Sequence, residues 1–245
     1  SVISSDQIWT AANSPYVLTA NAVISQGATV RVSPGVHIRT TGKHKIVVEG
    51  AFEASGTKDS VIRIDTATFE FTNKAKGYDF NSRSGSHFSY CHYTGSGLNT
   101  IYTITLSPIS MLISNCRFEN VYYTIYGMNA NTDTCLLRIE KSVFLGGSSM
   151  GYAAYIFGSY AFLEMDECLV SGMYGLFFGN YATLTRNRFE YWRSNSGMRI
   201  TTGSHNRGRI IISCNEFFDF KTHILEISGT PNTFPIIINH NTFDS

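Results

Sequence analysis

The sequence predicts an all-β fold, a single-stranded parallel β-helix solenoid, and three observations carry that expectation. First, a hexapeptide recurs: apolar, polar, polar, Asn/Cys/Ser, any residue, then aromatic or apolar. Its copies begin at Phe88, Ile113, Ile139, Met165, Leu184, Ile212 and Ile238, at steps of 25, 26, 26, 19, 28 and 26 residues. A period in the twenties marks a solenoid, in which each repeat buries its apolar face only against its neighbours. Second, apolar residues ahead of the copies alternate with period two, which means strand. Examples are Cys135, Leu137 and Ile139, and Ala161, Leu163 and Met165. Third, no long window has the i, i+3, i+4, i+7 apolar spacing of a helix. That argues against leucine-rich, ankyrin and other helix-containing repeats.

Within each copy the fourth position is expected to be the bend, because Asn tolerates the left-handed region. Stacked coils would align Cys91, Cys116, Ser142, Cys168, Asn187, Asn215 and Asn241 at a spacing of ~4.8 Å. The sixth position would stack Tyr93, Phe118, Phe144, Val170, Phe189, Phe217 and Phe243 as an interior ladder. Between copies, Gly127, Gly158, Gly179, Gly203 and Gly229 are expected to supply positive-φ turns.

The chain has 245 residues and reads as one domain without a linker. Residues 1–65 are expected to form an N-terminal cap and the first coils, and 66–245 the regular coils. Gly27, Gly35, Gly42, Gly50 and Gly56 punctuate short Val- and Ile-rich strands there, and Pro34-Gly35 is a turn signal. From Asp65 to Arg83 the pattern blurs. Phe69, Phe71, Tyr78 and Phe80 alternate as in strands, and Lys74 and Lys76 lie in a loop.

Composition excludes some classes. Net charge is +1 and charged residues make up 15%, against about 25% in typical domains. Nothing is basic enough for nucleic acid, and no apolar run reaches the ~18 residues of a membrane helix. The chain starts at Ser1, not Met, as a processed or cut chain would, which is compatible with secretion. Five cysteines is an odd number. Cys91, Cys116, Cys135 and Cys168 read as small apolar filler, with a Cys91–Cys116 bridge between successive coils as the alternative. Cys214 reads as an exposed thiol. No Cys or His spacing matches a metal site.

Trp9, Ser14-Pro15-Tyr16-Val17, Gly27-Ala28-Thr29-Val30-Arg31-Val32 and Pro34-Gly35-Val36 resemble the opening coils of secreted right-handed parallel β-helix proteins of the pectate-lyase-like superfamily. The run from Val48 to Thr57 resembles their next coil, with Val61 where that family usually has Pro. Gly85-Ser86-His87-Phe88-Ser89-Tyr90-Cys91 matches the first regular coil that follows. The resemblance covers nearly the whole chain. It implies a right-handed β-helix and an extracellular or cell-surface location. It does not choose among the lyases, glycosidases, adhesins and phage tailspikes of the superfamily.

Candidate chemistry is sparse. The glycosidase pattern of this fold, with paired Asp, Gly-His-Gly and Arg-x-Lys, is missing from the sequence. Lyases of the fold need carboxylates for calcium beside an Arg or Lys base. The best cluster is Glu140 and Asp166 on adjacent coils, with Lys141, Glu167 and Arg186 in the next column and Arg117 and Arg188 outward nearby. Glu140, Asp166 and Arg186 are the candidates for acid/base or Ca²⁺ work. The competing reading is a cross-strand charge ladder. Tyr122, Tyr123, Tyr126, Tyr191 and Trp192 are candidates for stacking on sugars, or for packing over a coil corner. His205, Arg207 and Arg209 form a small basic loop, read as a solvated turn or as a contact for an anionic glycan.

The expected function is a non-catalytic extracellular structural or adhesive module. Its expected partners are itself, end to end in filaments or laterally, or an extracellular glycan; nucleic acid and membrane insertion are not expected. The end-to-end expectation comes from the last coil, Ile236 to Phe243, which the sequence leaves uncovered. The alternatives are a polysaccharide-active enzyme, lyase before hydrolase, and a piece of a larger surface protein or tailspike.

Overall fold

The computed structural model describes residues 1–95, 102–128, 134–146, 151–158, 160–173, 175–190, 196–202, 208–219, 223–229 and 235–244. Three parallel sheets of ten strands each run the length of the chain, and successive strands visit the three sheets in turn. This is the β-helix the repeat predicts. One coil shows the plan. Met111–Ser114 lies in the second sheet, Arg117–Val121 in the third and Tyr123–Gly127 in the first. The described residues include one short 3-10 turn, Ala11–Asn13, and no α-helix. None of their helices is long and apolar enough to cross a membrane.

Residues 1–65 supply the first three strands of each sheet. Trp9 stacks on Tyr16 at 4.7 Å and meets Phe52 edge-on at 6.2 Å, joining the first coil to the core. The blurred region resolves differently from expectation. Thr68–Phe71 is a strand, but Tyr78 and Phe80 lie in the loop that follows. Tyr78 packs on Phe80 at 4.9 Å and on His87 at 5.6 Å, so their alternation reflects mutual packing outside a sheet.

The hexapeptide register holds across the described coils. First positions pair in the second sheet, as in Ile113 with Ile139 and Met165 with Leu184. Sixth positions pair in the third sheet from Tyr93 to Phe243. Phe118 stacks on Phe144 at 5.2 Å, Phe189 on Phe217 at 5.1 Å and Phe217 on Phe243 at 5.1 Å. Val170 interrupts the ladder with a smaller side chain.

The bend sits one residue earlier than expected. The left-handed residues are the third positions: Tyr90, Asn115, Lys141, Glu167, Arg186, Cys214 and His240, with φ between 49° and 58°. The physical reason is burial. The fourth position must re-enter the core, and Cys91, Cys116, Ser142, Cys168, Asn187 and Asn215 are all at most 2% exposed. A single left-handed residue before it turns the chain inward. None of the seven is β-branched, as that region requires. Its cost is offset by a hydrogen bond across coils from the same residue. The Lys141 N–H donates to the Asp166 carbonyl at 2.9 Å, and the Asn115 N–H to the Glu140 carbonyl at 3.0 Å.

Gly127 and Gly158 carry the expected positive φ, 113° and 115°. Gly179 lies outside the left-handed region, and Gly203 is outside the described residues. All five cysteines are free thiols, with Cys214 exposed and the other four buried. The inter-coil bridge between Cys91 and Cys116 is therefore not formed. Burial pushes the Cys168 thiol up to about 12 and Cys91 well above its ordinary value. Such thiols are inert filler.

Candidate functional site

The first candidate lies on the outward face of the second sheet. Leu136, Arg138 and Glu140 alternate outward along Cys135–Glu140, while Cys135, Leu137 and Ile139 point into the core. The next strand, Ala161–Asp166, is in register, so Arg138 faces Glu164 and Glu140 faces Asp166. Thr185 follows Asp166 one strand further. A groove of about 380 Å³ runs over these residues, lined by Arg138, Glu140, Glu164, Asp166, Thr183 and Thr185.

Two arginines hold three of the cluster's carboxylates. Arg138 Nε donates to Glu164 Oε2 at 2.6 Å, and its guanidinium lies 4.5 Å over the Phe80 ring. Asp166 Oδ1 accepts from Thr185 Oγ1 at 2.7 Å and from Arg186 Nε at 3.0 Å, and Oδ2 pairs with Arg186 Nη2. Arg186 also meets Glu167 at 3.3 Å. Partial burial pulls the Asp166 pKa upward, but the bonds from Arg186 and Thr185 outweigh it and the carboxyl ends below its ordinary value. The same hydrogen bond holds Arg186 above its own. A carboxylate so held is a poor general acid, and so raised a guanidinium is no base. Of the expected Lys141–Glu167–Arg186 ladder, the second contact forms, and no ion pair involves Lys141 among the described residues.

Arg117 and Arg188 do not join this groove. They project from the third sheet, where Arg117 pairs with Glu119 and Arg188 with Glu190 and Glu216. Among the described residues no three His, Cys, Asp or Glu side chains converge to hold a metal ion.

The second candidate is an aromatic strip on the outward face of the first sheet. It grows from a local break in alternation. Along Tyr123–Gly127 the pattern is half-buried, buried, buried, half-buried, buried. Two successive inward residues, Thr124 and Ile125, bring Tyr123 and Tyr126 to the same outer face. Tyr152–Ile156 repeats the pattern with Ala153 and Ala154 inside and Tyr152 and Tyr155 outside.

Register then builds two columns. Tyr102 pairs with Tyr123, and Tyr123 stacks on Tyr152 at 5.8 Å. Tyr126 pairs with Tyr155 and Tyr155 with Phe177, with ring centroids 5.4 and 4.2 Å apart. Tyr123 stands across Tyr126 at 75° and across Tyr155 at 87°, while Tyr102 is tilted by 37° against Tyr126 at 4.3 Å. Tyr122 meets Tyr123 edge-on at 4.8 Å, and Phe157 meets Tyr126 at 5.7 Å. Burial among these rings, then the neighbouring phenols, pushes Tyr123 up to about 12. It stays a neutral phenol, able to donate as well as accept.

Tyr123 and Tyr126 are thus brought together on a sheet face, whereas Tyr122 is the bend residue at the corner between the third sheet and the first and packs against Tyr123 from there. Tyr191, Trp192, His205 and Arg207 lie outside the described residues; Arg209 opens the strand Arg209–Ser213 of the second sheet. Sequence reading missed Tyr102, Tyr152, Tyr155, Phe157 and Phe177. The Tyr-x-x-Tyr spacing that Tyr152/Tyr155 share with Tyr123/Tyr126 is the signal that could have found two of them.

Fold and strip together define a parallel β-helix with an aromatic outer face. Comparison with protein-family models, with curated proteins and with solved structures gives no match for the chain.

Proposed function

We propose that the protein is a non-catalytic extracellular or cell-surface β-helix module that works by adhesion, with the aromatic strip of the first sheet as its binding face toward a glycan. The carrying observation is the strip: phenol and phenyl rings on four successive strands of one face, half-buried or, in Tyr102, 38% exposed. Aromatic rings with a polar tip suit a surface that must be apolar on the flat and wet at the rim. The carboxylate groove supports the non-catalytic side of this reading, since Asp166 and Arg186 spend their polar atoms on each other.

The test is retention on immobilised polysaccharides. Tyr126→Ala with Tyr155→Ala should abolish retention while the protein still folds. Glu140→Ala with Asp166→Ala should leave retention unchanged. Turnover of a uronate polysaccharide that disappears in the second variant would overturn the reading in favour of a lyase.

A further inference from the structure

We infer that the ligand of the aromatic strip is an uncharged, extended polysaccharide lying parallel to the solenoid axis, with about one sugar for each aromatic strand at the ~4.8 Å strand spacing. This rests on the glycan-binding reading above and names the class and direction of the glycan.

Direction comes from the register. Tyr102, Tyr123 and Tyr152 form one column along the axis, and Tyr126, Tyr155 and Phe177 the other. Neighbouring members sit on adjacent parallel strands, so the strip is long along the axis and two rings wide across it. A polymer crossing at right angles would meet two rings; one following the axis meets a ring at every coil. The strand spacing is close to the length of one sugar in an extended β-linked chain. In the first column the centroids are 5.3 and 5.8 Å apart with planes tilted by 39° and 22°. Stacked rings 5.8 Å apart, as Tyr123 and Tyr152 are, lie slid past one another, and the tilt of Tyr102 opens a wedge beside Tyr123, so part of each face stays open. The second column is tighter and presents its phenol edges beside them.

Charge selects the class. The six rings carry no formal charge. The charged side chains that continue the strip are matched within the protein. Past Phe177, Arg199 holds Glu226 at 2.9 Å; before the strip, Lys45 pairs with Glu70. Polyanions, whether uronate polymers or nucleic acid, need cations free to replace their counterions, and single-stranded nucleic acid adds a basic groove to its stacking platform. A polyhydroxyl chain needs apolar faces and neutral donors and acceptors, which the phenols supply.

The probes are size-graded neutral oligosaccharides of the β-1,4-glucan, mannan, xylan and chitin types, with oligogalacturonates of matching length. Binding to the intact chain is followed by calorimetry at low and at high salt. Affinity for at least one neutral series should rise with each added sugar, level off near four to five units and change less than about twofold with salt. Tyr155→Ala, in the middle of the strip, should shorten the useful length rather than remove binding. Affinity independent of length, meaning recognition of a chain end, overturns the inference. So does salt-sensitive binding confined to the galacturonates; in both cases glycan binding itself stands. Absence of binding to every immobilised and soluble glycan overturns the adhesive reading as well.

Discussion

Asn215 Oδ1 accepts two hydrogen bonds from Asn187, one from its backbone N–H at 2.9 Å and one from its Nδ2 at 3.0 Å. Asn215 repeats the arrangement on Asn241 at the same two distances, and its Nδ2 also donates to the Leu184 carbonyl at 2.9 Å. The column satisfies buried backbone groups at a corner where sheet pairing stops. Asn215→Ala leaves the Asn187 N–H and the Leu184 carbonyl without these partners. It should cost roughly 1–3 kcal/mol for each buried group left unpaired. Asn215→Ser should recover part of that, because Ser142 already accepts from the Cys116 N–H at 3.1 Å in the same column. Urea unfolding of the two variants checks the order.

Phe144 is fully buried and nearly parallel to Phe118, at 7°. Phe144→Ala should cost about 3–5 kcal/mol, since the stacked coils cannot close the gap without losing strand pairing. A loss under about 1 kcal/mol in chemical unfolding would show that this column is not the core.

Thr103 and Thr124 are fully buried, and their Oγ1 atoms have no hydrogen-bond partner among the described residues. They belong to the paired-inward break that brings the tyrosines to one face. Val has the same shape without the hydroxyl. Thr124→Val should therefore stabilise the protein by about 1 kcal/mol while leaving glycan retention intact. Destabilisation would mean that the hydroxyl is hydrated in the fold.

The solenoid was legible because burial imposes a strict repeat on the inward positions. Ile113, Ile139 and Phe144 could be placed before any coordinates. The bend was misplaced by one residue because the left-handed position is exposed, so chemistry leaves it nearly free: Lys141, Glu167 and Arg186 share no type. The Asn and Cys residues beside it are the more regular, and their pattern comes from burial. The aromatic strip was half legible. Tyr122, Tyr123 and Tyr126 stand together in sequence. Tyr102, Tyr155 and Phe177 join them only through register in the first sheet, where loops of varying length hide the repeat.

Asp166 and Glu119 make stability depend on pH. Burial raises the Asp166 pKa, the bonds from Arg186 and Thr185 lower it by more, and the net direction is down. Glu119 is lowered chiefly by its hydrogen bond with His92, then by Arg117, against burial. A carboxyl with a folded pKa below its unfolded value contributes stability above the unfolded pKa. That contribution is lost as pH falls through the folded one. Stability should therefore hold from neutral pH down to about 5 and decline below it, as pH passes the unfolded and then the folded pKa, and Asp166→Asn should flatten part of that decline. Both carboxylates are partly exposed, so the effect should be modest. An unchanged slope in the variant would place the acid sensitivity elsewhere.

Gly151 and Gly27 separate two ways in which a coil can need glycine. Gly27 has φ +85° and open space where a side chain would go. Gly27→Ala should cost only the left-handed conformation, about 1–2 kcal/mol. Gly151 is not left-handed, but a Cβ there would lie 1.6 Å from the Tyr122 carbonyl oxygen. The coil that carries Tyr152 and Tyr155 thus rests directly on the backbone beside Tyr123. Gly151→Ala must push these coils apart, a backbone shift that overpacking puts at about 1–3 kcal/mol or more. It should also disturb the contact of Tyr123 with Tyr152. Both variants are compared by urea unfolding, and the tyrosine signal in near-ultraviolet circular dichroism reports on the strip. Gly27→Ala should leave that signal and glycan retention unchanged; Gly151→Ala should reduce both. If Gly151→Ala behaves like Gly27→Ala in every measurement, the close approach at Tyr122 does not set the spacing of the strip.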